Sequence, residues 1–169
     1  MSIFLQPLQT VTVGSSVSSV TFSSIPQGYT DLVIKASTRS DANDGGNYKY
    51  GTISVNGSTS NESSTFLYGN GSSTGSARDT VIYFWSASNL ATSSTFGNFE
   101  VYIPNYTSSN YKSILVDIVT ESNATGAYQN LEAGLWSNTS AITSLTFTSG
   151  GNFVQYSKFS LYGVLRQGI

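Results

Sequence analysis

Nine acidic side chains, seven basic ones and an abundance of serine are the groups in this sequence that could carry chemistry, and no histidine or cysteine is present to work with them. Serine catalysis needs a base within hydrogen-bond reach and a turn that presents the hydroxyl. No imidazole is available and no G-x-S-x-G elbow occurs, so the serines read as residues of turns and wet sheet faces. Glycoside hydrolysis needs two carboxyls facing across a cleft at about 5–9 Å. Glu121 and Glu132, at the ends of neighbouring expected strands, are the best-placed pair, followed by Glu100 and Asp117. Nine acids on one domain bring some together by chance, and no motif surrounds any of them. The sequence therefore offers no catalytic residue, and the expectation is a protein that is not an enzyme.

The run Asp41-Ala-Asn43-Asp44-Gly45-Gly46 clusters the hard oxygen ligands that calcium prefers. Thr52 stands where a bidentate glutamate would close an EF-hand loop, and a Gly-rich turn explains the segment as well. Without His or Cys a zinc site is not expected. No metal ligand and no cofactor is assigned. Aromatic residues, at 13% of the chain, are the remaining resource. Tyr48, Tyr50, Tyr68, Tyr83, Trp85, Tyr106, Tyr111, Tyr128, Trp136 and Tyr156 offer flat faces with polar tips, a platform for stacking on sugars. Trp85 and Trp136 lie inside alternating runs and read as core. Tyr48, Tyr106 and Tyr111 lie near loops and are the interface candidates, because tyrosine supplies large contact area at little entropic cost.

The elements that must position these residues are strands. Leu32, Ile34 and Ala36 alternate with Val33, Lys35 and Ser37. Phe99, Val101 and Ile103 do the same up to Pro104, as do Ile114, Val116 and Ile118, and later Phe159, Leu161 and Gly163. Period two marks strands with one buried face, and no sustained helical stripe competes with it. Asp44-Gly45-Gly46, Asn56-Gly57, Asn70-Gly71 and Gly150-Gly151-Asn152 are turn signals, since Gly and Asn tolerate positive φ. Expected strands fall near 3–13, 17–24, 30–39, 48–55, 64–69, 79–85, 97–103, 111–120, 128–136, 141–148 and 157–165, with one of these not independent. The fold class is all-β: an antiparallel, jelly-roll-like sandwich of about ten strands with minimal helix. Residues 1–169 form a single domain, in which 1–13 is either a first strand or an arm extending outward.

Only 16 residues are charged, for a net charge of −2, and the seven cations are scattered singly. Binding nucleic acid by counterion release needs several cations on one face, so that partner is not expected. No run approaches the roughly 20 apolar residues of a membrane-spanning helix, and the first residues lack the pattern of a signal peptide, so no membrane partner and no export are expected. Six Asn-x-Ser/Thr triplets, at Asn56, Asn61, Asn70, Asn105, Asn123 and Asn138, are what chance gives in so Asn-, Ser- and Thr-rich a chain.

Five segments taken in order carry a family resemblance. They are Phe22-Ser-Ser-Ile-Pro-Gln-Gly-Tyr-Thr-Asp-Leu32, Val55-Asn-Gly-Ser58, Val101-Tyr-Ile-Pro-Asn-Tyr106, Ala133-Gly-Leu-Trp-Ser-Asn138 with Ala141-Ile142, and Phe159-Ser-Leu-Tyr-Gly163. Together they resemble a family of small β-sandwich virion structural proteins of tailed bacteriophages. The resemblance implies a jelly-roll-like fold, a location in the virion after synthesis in the host cytoplasm, and no catalytic residues. The expected role is a capsid decoration (cement) protein that binds the major capsid protein or other virion proteins, as a homo-oligomer and specifically a trimer. The alternative is a tail-fibre or spike adhesin domain that binds host-surface glycans.

Overall fold

The computed structural model describes residues 3–122 and 126–166 and builds them into twelve strands. The first six are β1 (Ile3–Thr12), β2 (Val17–Phe22), β3 (Asp31–Thr38), β4 (Tyr48–Val55), β5 (Glu62–Gly69) and β6 (Thr74–Asp79). The others are β7 (Ile82–Ala87), β8 (Gly97–Pro104), β9 (Lys112–Val119), β10 (Gln129–Trp136), β11 (Leu145–Phe153) and β12 (Lys158–Arg166). No helix occurs among the described residues. The triplet at Asn123 lies outside them, as do Met1 and Ser2 of the 1–13 stretch. From Ile3 onward that stretch is a strand, paired antiparallel with β12. The count is twelve rather than about ten, chiefly because β6 is a separate strand. Its sequence, Thr-Gly-Ser-Ala-Arg-Asp, has no apolar alternation, since it is an exposed edge strand with almost nothing to bury.

The topology follows from four antiparallel pairs, β1·β12, β2·β11, β3·β8 and β4·β7. The chain runs out and back as one long hairpin in four segments, which is rolled so that successive segments fall in alternate sheets. One sheet contains β1-β12-β3-β8 and the other β2-β11-β4-β7. This is a jelly roll. Two hairpins are inserted into it, β5–β6 between β4 and β7, and β9–β10 between β8 and β11. They pair with each other through β10·β5 and extend the first sheet past β8 to eight strands, in the order β1-β12-β3-β8-β9-β10-β5-β6.

The expected alternation becomes burial. β9 reads buried–exposed without a break from Lys112 to Val119, and β10 reads exposed–buried from Gln129 to Trp136. Between the sheets lies an aromatic core of Phe22, Phe84, Phe99, Phe147, Phe153 and Phe159, all almost fully buried. Phe147 touches four of the other rings, and Phe84 three, with centroids 4.7 Å from Phe99, 5.8 Å from Phe147 and 5.9 Å from Phe153. Trp85 and Trp136 are buried as well.

Asn56-Gly57 makes the tight turn its sequence signals, with φ of 52° and 79° and a Val55–Ser58 bridge. It does not join paired strands, however, because β5 leaves for the other sheet. The Asn56 side chain holds the turn instead: its Oδ1 accepts the N–H groups of Thr143 and Ser144, and its Nδ2 donates to Ala141 O. Gly150-Gly151 is likewise no turn; it lies within β11 at a register shift.

Candidate interaction site and buried polar groups

The inserted hairpins give the long sheet an outer face that is unusually apolar. Leu67, Leu115, Val119, Leu131 and Leu135 are between 36% and 57% exposed. Leu131 of β10 faces Leu67 of β5 on one side and Asp117 of β9 on the other, and the next row joins Thr65, Ala133 and Leu115. A groove of 570 Å³ runs along this region between Leu67, Leu131, Gln129 and the edge strand β6. The sequence signal is visible in Ile114-Leu115-Val116-Asp117-Ile118-Val119, where both faces of the strand are largely apolar. The inward set fills the core, and the outward set is largely exposed. Exposed leucines gathered on one face in this way mark a candidate contact surface.

The three tyrosine candidates have different fates. Tyr111 is 59% exposed and fully available. Tyr48 is half-buried: its ring stacks 4.9 Å from Trp85 and meets Tyr128 edge-on. Tyr106 needs correction. It is fully buried and donates its hydroxyl to Pro26 O, while its backbone carbonyl accepts the Ile142 N–H. A ring enclosed between two loops presents nothing to a partner.

The carboxylates are separated by the pleat. Glu132 points into the core from β10, whereas Glu121 is exposed and accepts its neighbour's Ser122 N–H. Glu100 and Asp117 do face each other across β8 and β9, but on the open outer face, where Glu100 pairs with Lys35 at 2.9 Å. The buried companion of Glu132 is Glu62 of β5. Glu62 Oε2 accepts the Ile82 N–H at 3.2 Å, and Glu132 Oε1 accepts the Tyr83 N–H at 2.7 Å. Ser64 Oγ donates to Val81 O beside them. Side chains of the inserted hairpins thus bond the main chain at the start of β7, the edge of the four-stranded sheet. The second oxygen of each carboxyl, Glu62 Oε1 and Glu132 Oε2, finds no hydrogen-bond partner among the described residues. Burial pushes both groups up to about 7; the N–H bonds oppose this, while Asp79 and Glu62 add to it at Glu132. The pair lies against β7 rather than facing a cleft, so it braces an edge strand.

The Asp41–Gly46 loop uses its oxygens internally. Asp41 accepts both the backbone N–H and the side-chain amide of Asn152, which holds its carboxyl below the usual range. Asp44 accepts Lys49 Nζ at 2.5 Å and the Tyr50 N–H at 2.7 Å.

Composition gave no hint of Lys112, whose side chain is buried. Its ammonium donates to the carbonyls of Ser108 at 2.7 Å, Asn138 at 3.3 Å and Ser140 at 2.5 Å, and it lies 5.4 Å from the Trp136 ring. One cation ties the β8–β9 loop to the β10–β11 loop, and its removal leaves three carbonyls short of a donor. Lys112→Met should therefore cost about 1–3 kcal/mol. The loss would be read as a lower urea midpoint with an unchanged slope; an unchanged midpoint would show that water satisfies those carbonyls equally well.

A scan against protein-family models, a search of the curated proteins and a search of the solved structures each return no match for this chain.

Proposed function

We propose that the protein is a non-enzymatic structural component of a virus particle: a decoration protein that binds the assembled head as a small closed oligomer, in the first instance a trimer. The observation that carries this reading is the exposed leucine face over β9, β10 and β5. The five resembling segments support it from the side of sequence. A jelly roll closes its own core, so the outward leucines of the inserted hairpins are free to serve an external surface. Closed cyclic symmetry covers one such patch per subunit without leaving a growing end.

Attachment of this kind rests on apolar burial, main-chain hydrogen bonds and trapped water rather than on charge. Exposed ion pairs contribute only about 0–1 kcal/mol and are screened by salt. Retention on purified particles, followed by sedimentation, should hold or tighten as sodium chloride rises from dilute buffer to seawater strength. Leu131→Asp should abolish retention and leave the unfolding midpoint nearly unchanged, because Leu131 is half exposed. Progressive release with salt, full retention of Leu131→Asp, or a monomer by light scattering both free and on particles would each overturn the reading.

A further inference from the structure

The geometry points to a second binding site, on the open face of the four-stranded sheet, that takes a neutral saccharide. It goes beyond particle attachment and uses a different face of the molecule. Gly51, Ile53, Phe84 and Phe147 turn inward to the core, so Tyr50, Thr52, Tyr83 and Thr148 turn outward. Tyr83, Thr52 and Thr148 form one row across β7, β4 and β11. Beside this row the sheet has a depression at Gly150. A Cβ there would meet Lys49 Nζ at 2.8 Å and Tyr50 O at 2.9 Å, so the position has to lack a side chain. The resulting pocket measures 330 Å³, within the range of about 300–1,000 Å³ usual for small-molecule sites.

Its walls have the chemistry of a sugar site. Tyr50 and Tyr83 stand 5.7 Å apart with their planes inclined at 51°. Tyr50 is held by edge contacts to Tyr48 and Trp85, both at 5.1 Å, and Tyr83 donates its hydroxyl to Asp79 Oδ2 at 3.2 Å. The rings are therefore set before a ligand arrives, which lowers the ordering cost of binding. The electron-rich face of a tyrosine attracts the slightly positive C–H face of a pyranose. Across the pocket the Asp44–Lys49 ion pair is largely buried, and its ammonium retains donors beyond the one given to Asp44. The hydroxyls of Thr52 and Thr148 make no hydrogen bond to any described residue. Vicinal sugar hydroxyls both donate and accept, so they match a carboxylate beside an ammonium. Because that pair sums to zero charge, a phosphate or uronate finds no net attraction and meets the Asp44 carboxylate.

The test is isothermal titration of the full chain with maltohexaose, cellohexaose, laminarihexaose and chitohexaose, and with a heparin hexasaccharide as the anionic probe. At least one neutral hexasaccharide should bind with Kd below about 10 mM. Tyr83→Ala should weaken that binding at least about tenfold, and the shape-conserving Thr148→Val about two- to fivefold. Leu131→Asp, which does not line this pocket, should leave it unchanged, which separates failure here from failure of the particle-binding reading. Binding of none of the four neutral sugars, binding of heparin alone, or full affinity in both Thr148→Val and a folded Tyr83→Ala would overturn the assignment.

Discussion

Phe84→Ala should lower the unfolding free energy by about 3–5 kcal/mol, a large part of the roughly 5–15 kcal/mol that holds a domain of this kind together. The ring touches Phe99, Phe147 and Phe153, and it lies over Gly51, its cross-strand partner. A glycine in the wall of the resulting cavity has no side chain to move into it, so collapse is restricted and the cost falls at the upper end. The same geometry makes the converse change costly too. A methyl group on Gly51 would overlap the ring, with two ring carbons at 2.7 Å, so Gly51→Ala alone should cost about 1–3 kcal/mol by overpacking. In the Phe84→Ala background that methyl enters vacated space, and Gly51→Ala should become neutral or stabilising. Urea denaturation of the four proteins of this cycle measures the coupling. Additive costs would show that the ring does not depend on the missing side chain.

The second large effect is on pH. Glu62 and Glu132 have folded-state values of about 7 against an ordinary 4.5. A raised carboxyl binds its proton more tightly when folded. The stability this supplies is fully present below about 4.5 and is lost as pH rises through 7. At about 1.4 kcal/mol per unit, ionising each buried group opposes folding by something on the order of 3 kcal/mol. Asp41 acts in the opposite sense, its stabilising effect being lost only as pH falls through the acid range. The melting temperature should therefore be higher at pH 5.5 than at pH 8.5. Glu132→Gln should flatten that slope and stabilise the protein at pH 8.5, since its amide oxygen still accepts the Tyr83 N–H and no charge is buried. A melting temperature that climbs steadily from pH 5.5 to 8.5 would show that both carboxylates reach water.

Strands whose inner face is the core were legible in sequence because burial writes a period of two. Val101 and Ile103, or Val116 and Ile118, declare their strands, and Pro104 declares an end. β6 was not legible, because Arg78 and its neighbours face solvent and no packing selects their types. Asn56-Gly57 identified its turn but not the destination of the chain beyond it, which is set by side-chain bonds to residues 141–144. Interface tyrosines could not be sorted by proximity to loops. Tyr106 and Tyr111 lie five residues apart, and only packing shows that one is sealed beneath Pro26 while the other faces water. The leucine face was written in the sequence as apolar residues on what should have been the polar side of β9 and β10. A similar ambiguity hid Glu132, whose register position, not its type, places it inside.

The pairing of β1 with β12, from Ile3 opposite Arg166 to Thr12 opposite Lys158, sets the order in which this protein can be made. A ribosome adding about 5–20 residues per second delivers the partner of the first strand roughly 7–33 seconds after the strand itself. Throughout that interval β1 has no neighbour in its sheet, and β3 lacks the strand that comes to lie between the two. Every other pair of both sheets, from β5–β6 and β4–β7 to β8–β9 and β9–β10, can close while synthesis continues; only the pairs made by β12 must wait. A chain with such distant partners folds slowly and late. Its outward leucines are thus displayed on paired strands before β12 joins β1 to β3 and completes the first sheet, and premature association is a hazard that synthesis rate and temperature control.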